Sequence, residues 1–291
     1  MPSAAEQPRN IAGGAWLLAD LSLNIWALSI AKSVGLDYPA FQLVFIRAIV
    51  GLILMVPWIW REQRAFRDLT DLPLHVLRVG LSTIALTTSF FAIARLPIAL
   101  FTAVNFTRPL ILMVMAALIL RETIPRVRWV AAGVGLIGVI FAIQPSEIQG
   151  GWGLPALFVT VVAGTGAVIV TRRLNHVPTV VMMTFYGAGL AVFTAPFAIF
   201  AWQPVPTPTL PILLAIGVFA QLAQFCFLRA HRLGQAGFLA VLSYTSLVIS
   251  TTVGYLIFDE VPLFGFWIGA GLIIAAAIWV SMAPSRFGGP R

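Results

Sequence analysis

Charged side chains are scarce in this sequence: Asp, Glu, Lys and Arg make up 10% of its 291 residues. Soluble domains carry about a quarter. So few charges cannot cover a water-facing surface. With 60% hydrophobic residues, lipid must be the solvent for most of the chain. Lysine occurs once, at Lys32. The one cysteine, Cys226, has no partner for an internal disulfide. His75, His176 and His231 fall in separate segments without metal-ligand spacing, so no metal or cofactor is expected. No phosphate-cradling glycine loop of an ATPase occurs. Any work must therefore come from a gradient.

The net charge of +8 does not indicate a nucleic-acid partner. It is dispersed over short loops and forms no continuous basic patch or stacking platform. Anionic lipid headgroups are its expected neighbours.

What is abundant is long apolar runs. A bilayer core of about 30 Å needs about 20 apolar residues per helix. Ten spans fit, over 11–34, 38–60, 73–95, 97–120, 126–144, 152–173, 178–201, 209–231, 235–258 and 261–283. The first contains Asp20 behind a short, weakly charged start, which suits a retained helix better than a cleaved signal. Alternate loops then carry Arg9, Arg61, Arg64, Arg67, Arg121, Arg126, Arg128, Arg172, Arg173, Arg229, Arg232, Arg286 and Arg291. The other loops carry only Lys32 and Arg95. Positive charge resists translocation, so both termini are expected in the cytoplasm of a cell bounded by this inner membrane. The expected fold class is an all-α integral membrane protein.

The chain also repeats. Ala94-Arg95-Leu96 is echoed by His231-Arg232-Leu233, and Leu120-Arg121-Glu122 by Phe258-Asp259-Glu260. Trp129-Val130-Ala131-Ala132-Gly133 is echoed by Trp267-Ile268-Gly269-Ala270-Gly271 at the same spacing from its glutamate. Five spans per copy is an odd number, so the second copy, 152–283, must enter the membrane upside down relative to the first, 11–144. Inverted repeats characterise secondary transporters, which bind substrate near the midplane.

With Arg47 in the second span, the Pro109 region in the fourth, and the Glu122 and Glu260 blocks, the chain resembles the drug/metabolite transporter superfamily of the type built from two EamA domains. It looks most like the aromatic amino-acid exporter branch. The resemblance implies alternating-access export of small metabolites by a monomer or homodimer. On that reading the substrates are neutral aromatic and large apolar amino acids.

Asp20, Arg47 and Arg108 lie deep in their spans, where an unpaired charge costs about 2.5–3.5 kcal/mol on insertion scales. Such residues face a partner or a wet cavity. Asp20 either meets a substrate ammonium, with a proton-carrying role to be tested, or neutralises one arginine and locks helices. Arg47 is read as structural, leaving Arg108 for the substrate carboxylate. Pro109 removes an N–H and frees the Asn105 carbonyl, so Thr102, Asn105 and Arg108 share a face at a kink that is either a hinge or a packing feature. Further candidate lining residues are Trp16 and Asn24, Thr83 and Thr87, Gln221 and Gln224, and Tyr244. Hydroxyls often bond back to their own helix, so each threonine has a bland alternative. Gly133, Gly135, Gly138, Gly265 and Gly269 are read as close-packing positions. A membrane-embedded enzyme would need clustered acids, histidines or a nucleophile–base pair, and no such set is found, so no catalytic residue is assigned.

Overall fold

The computed structural model describes residues 10–66, 71–108, 111, 115, 126–142, 151–174, 176–233, 239, 242–243 and 245–282. Within them lie α1 (Asn10–Val34), α2 (Ala40–Arg61), α3 (Leu72–Ile93), α4 (Ile98–Asn105), α5 (Arg126–Ala142), α6 (Gly153–Arg173), α7 (Thr179–Phe200), α8 (Leu210–Leu233), α9 (Thr245–Phe258) and α10 (Phe264–Met282). A single 3₁₀ turn, Gln63–Phe66, follows α2. The described residues contain no strand.

Proline sets several starts. Pro39, Pro97 and Pro178 immediately precede α2, α4 and α7, with φ of −58°, −57° and −56°. The ring fixes that φ and supplies no N–H, which suits the residue leading into a helix. The loop after α7 carries alternate prolines, and no helix forms between Ala201 and Thr209. Six helices are long and apolar enough to cross a bilayer, falling within α1, α2, α3, α6, α7 and α8. At about 1.5 Å per residue, 22 residues reach about 33 Å. Large apolar side chains such as Val192, Ile199, Phe200, Val248 and Leu256 are exposed, as lipid-facing residues are. The chain is a multi-pass membrane protein.

The helices pair across the halves. The most extensive contacts join α1 to α8, α3 to α6, α5 to α10 and α2 to α7; smaller ones join α2 to α8, α3 to α7 and α4 to α9. Exchanging α1–α5 with α6–α10 in order turns this set of pairs into itself. At the α5–α10 crossing, a Cβ on Gly138 would lie 2.8 Å from the Gly269 carbonyl oxygen. The glycines read as packing positions therefore include two that touch.

Two ends of the bundle are marked by polar ties. At one, His176 Nε2 lies 3.3 Å from Asp71 Oδ2, joining the starts of α3 and α7. At the other, Gln42 clamps the loop after α7. Its Nε2 donates to the Gln203 carbonyl at 2.8 Å and its Oε1 accepts from the Gln203 N–H at 2.9 Å.

Candidate functional site

A cavity opens where α2, α7 and α8 meet, lined by Arg47, Gly51, Tyr186, Gly187, Gln221 and Gln224 among others. Arg47 follows the first residue of α2 by seven positions, and Tyr186 follows the first residue of α7 by the same seven. The two paired helices thus present equivalent positions to one space, one as a guanidinium and the other as a phenol. Gly51 makes room for an amide: a Cβ there would stand 2.9 Å from Gln221 Oε1. Arg47 also lies 6.0 Å from the Phe90 ring centroid, a cation–π distance. The cavity measures ≈ 20 Å³, room for a water or two. Small-molecule sites occupy about 300–1,000 Å³, so the helices must separate to admit a metabolite. A wider, shallow depression at Trp60–Ala65 is surface relief past the end of α2.

The sequence-derived residues fall into several groups. Gln221 and Gln224 line the cavity. Trp16 meets Phe225 edge to face at 5.9 Å, on the α1–α8 contact. Asp20 is buried at 6% exposure and lies within electrostatic reach of Cys226. Asp20 is not among the residues that line the cavity. Asp20 has neither ion pair nor hydrogen bond among the described residues. Asn24 is exposed.

On α3, Thr83 donates back to the Val79 carbonyl at 2.9 Å, the bland alternative. The buried Thr87 hydroxyl has no partner among the described residues. On α4, Thr102 donates to the Ile98 carbonyl at 2.9 Å and Asn105 Nδ2 to the Phe101 carbonyl at 2.8 Å, while buried Asn105 Oδ1 has no partner among the described residues. The α4 helix ends at Asn105, and the Phe106 and Thr107 amides tighten into i−3 bonds. The Arg108 guanidinium lies beside Gly164 on α6, where an added Cβ would stand 3.5 Å from it, and Arg108 is not among the residues that line the cavity. Pro109 and Tyr244 lie outside the described residues.

Three features escaped the sequence reading. The first is Arg47 as a cavity residue; its matching offset with Tyr186 was the signal available. The second is Arg78, buried on α3. Its Nε donates to Thr171 Oγ1 at 2.8 Å and its Nη1 to the Met182 carbonyl at 3.2 Å, tying α3 to α6 and α7. The third is a junction at the Gln42 end. Lys32 Nζ lies 2.9 Å from Glu260 Oε1 and donates to the Leu96 carbonyl at 2.6 Å. Glu260 Oε2 accepts the Ile98 N–H at 2.8 Å, capping α4. One carboxylate thereby joins the ends of α1, α3 and α9 to the start of α4.

The profile of the EamA-like transporter family matches residues 14–144 and 151–282. Similar proteins include an S-adenosylmethionine uptake transporter of Rickettsia felis, 26% identical over 93% of this chain and 92% of its own. A riboflavin transporter of Brucella anthropi is 27% identical over 83% and 88%. The pseudopaline exporter CntI of Pseudomonas aeruginosa is 27% identical over 87% and 90%. A solved crystal structure shares the fold, with a TM-score of 0.64 at 21% identity over 94% of this chain and 97% of that one. These relatives are named for different cargoes, and none for an amino acid. With two matched copies filling nearly its whole length, the chain belongs to the EamA-like transporter family, as a membrane transporter of small metabolites.

Proposed function

We propose that this transporter binds its cargo in the space between α2, α7 and α8 and works by alternating access, with the five-helix repeats 11–144 and 152–283 inverted relative to each other. The observation that carries the reading is the cavity itself. Arg47, Tyr186, Gln221 and Gln224 converge there from both halves, and helix exchange across the halves lets a rocking motion open it from either end. The Lys32–Glu260 junction and the Gln42 clamp close the outer end in this arrangement. Amides that need several partners, aromatic rings and a guanidinium suit a cargo with a ring and a polar tail.

The narrower reading is export of neutral aromatic and large apolar amino acids across the inner membrane, with both termini cytoplasmic. S-adenosylmethionine, named for the Rickettsia relatives, has an amino-acid end, which supports a site for that group. Counterflow in proteoliposomes with labelled phenylalanine, tryptophan, methionine, S-adenosylmethionine and riboflavin tests it. Exchange of the amino acids is expected. Exchange of riboflavin alone would replace the amino-acid reading, and exchange of none would remove both. Asp20→Asn with transport followed against pH tests proton coupling, and an unchanged profile ends that role.

A further inference from the structure

We infer that the cargo carries an anionic group, a carboxylate or phosphate, which passes between Arg78 and Arg47 on either side of Tyr186. This rests on the cavity being the transport site. Tyr186 is the shared element: it lines the cavity with Arg47, and its ring centroid lies 5.8 Å from the Arg78 guanidinium. The arginines approach from opposite ends. Arg78 is six residues past the first residue of α3, at the Asp71–His176 end, about 9 Å along the helix. Arg47 is seven past that of α2, at the Gln42 end, about 10 Å along.

Among the described residues neither arginine has a counter-ion: the ion pairs there are Lys32–Glu260 and His176–Asp71. Asp20, the deep acid of α1, is not among the residues that line the cavity. A guanidinium offers five N–H donors in a planar fork that matches carboxylate and phosphate. Arg78 donates to a hydroxyl and a carbonyl, neutral partners that fix its orientation without matching its charge. One turn earlier on α3, His75 is 1% exposed and packed 4.7 Å from the Phe185 ring, with neither ring nitrogen partnered among the described residues. A buried polar group without a partner is costly, and His75 beside Arg78 supplies a further hydrogen-bonding group to an arriving anion. A site of this sign selects for negative charge. A cargo that is neutral throughout or purely cationic gains nothing from either guanidinium.

The test uses purified full-length protein at constant ionic strength and four probes: N-acetylphenylalanine (anionic), N-acetylphenylalaninamide (neutral), phenylalaninamide (cationic) and phenyl phosphate. Thermal stabilisation is expected from at least one of the two anions, and which of them acts separates carboxylate from phosphate. Arg47→Gln and Arg78→Gln should each raise the anion concentration needed by about tenfold, the scale of one lost charge-assisted bond. A merely structural arginine would weaken all probes together and leave their ranking unchanged. The inference is overturned if the neutral or cationic probe stabilises as well as the anions, if neither anion acts, or if both Gln variants keep the anion effect. If Arg78→Gln does not fold, Arg78→Lys and Arg47→Gln decide. Gln221→Leu separates the layers: if it leaves counterflow of every cargo intact, the cavity assignment falls first.

Discussion

Lys32 and Glu260 meet at 2.9 Å, and the second oxygen of the same carboxylate holds the first amide of α4. The pair is 15% exposed on each side, so water screens it only in part. Lys32→Met removes the ion pair and leaves the cap. Glu260→Ala removes both, leaving the Lys32 charge without its counter-ion and the Ile98 amide without its acceptor. Hydrogen bonds to charged groups contribute about 1.5–3 kcal/mol, so Glu260→Ala should lower the melting temperature more than Lys32→Met. Differential scanning fluorimetry in detergent reads the difference, and equal shifts would deny the carboxylate its double role.

The same two variants should loosen the end of the bundle that the Lys32–Glu260 junction and the Gln42 clamp occupy. A single cysteine placed at Leu96, with Cys226 replaced by Ala, is expected to react faster with a membrane-impermeant maleimide when Glu260 is Ala. An unchanged labelling rate would mean that this junction does not hold the end closed.

Gln42 is fully buried and satisfies both backbone groups of Gln203. Gln42→Leu keeps the volume and strands those groups, at a cost of about 1–3 kcal/mol each if they stay dry. Loss of stability together with faster proteolysis of the loop after α7 is expected. Wild-type protection would place the clamp among neutral contacts.

Gly269 leaves no space for a side chain: a Cβ would crowd the Gly138 carbonyl and the Ala142 backbone. Backbone cannot rotate out of the way as a flexible side chain can. Gly269→Val should destabilise by about 1–3 kcal/mol or more, read as a lower melting temperature. Gly271→Ala, where an added Cβ meets nothing within 4 Å, is the control. Equal effects at the two positions would contradict the α5–α10 crossing.

Arg47 and Arg108 separate by flux. Arg47 lines the cavity, whereas Arg108 lies beside Gly164. Arg47→Gln is expected to cut counterflow at least about tenfold, and Arg108→Ala by less. The reverse order would return Arg108 to the central role that its depth in the sequence suggested.

Much of the architecture was legible because hydrophobic run length and proline placement are local signals. The starts of α2 and α7 follow Pro39 and Pro178. The site was less legible because it is made by packing between halves. Asp20 and Gln224 look alike as deep polar residues. Only packing between helices separates them: Gln224 lines the cavity and Asp20 does not. The hydroxyls divided as the physics of helices allows: Thr83 and Thr102 bond backwards, while Thr87 does not. Lys32 and Glu260 each stood out for another reason, one as the single lysine of the sequence and the other as a repeat marker. Nothing in either neighbourhood announced that they touch.

Because α1 seeks α8 and α3 seeks α6, neither half is a self-contained building block. A chain stopped after α5 would expose the very faces that its missing sequel covers. It could regain them only by recruiting a second polypeptide with the complementary helices. Duplication within one gene product makes that recruitment unnecessary and leaves the two copies free to diverge, which is how one helix of an equivalent pair comes to hold an arginine where the other holds a tyrosine.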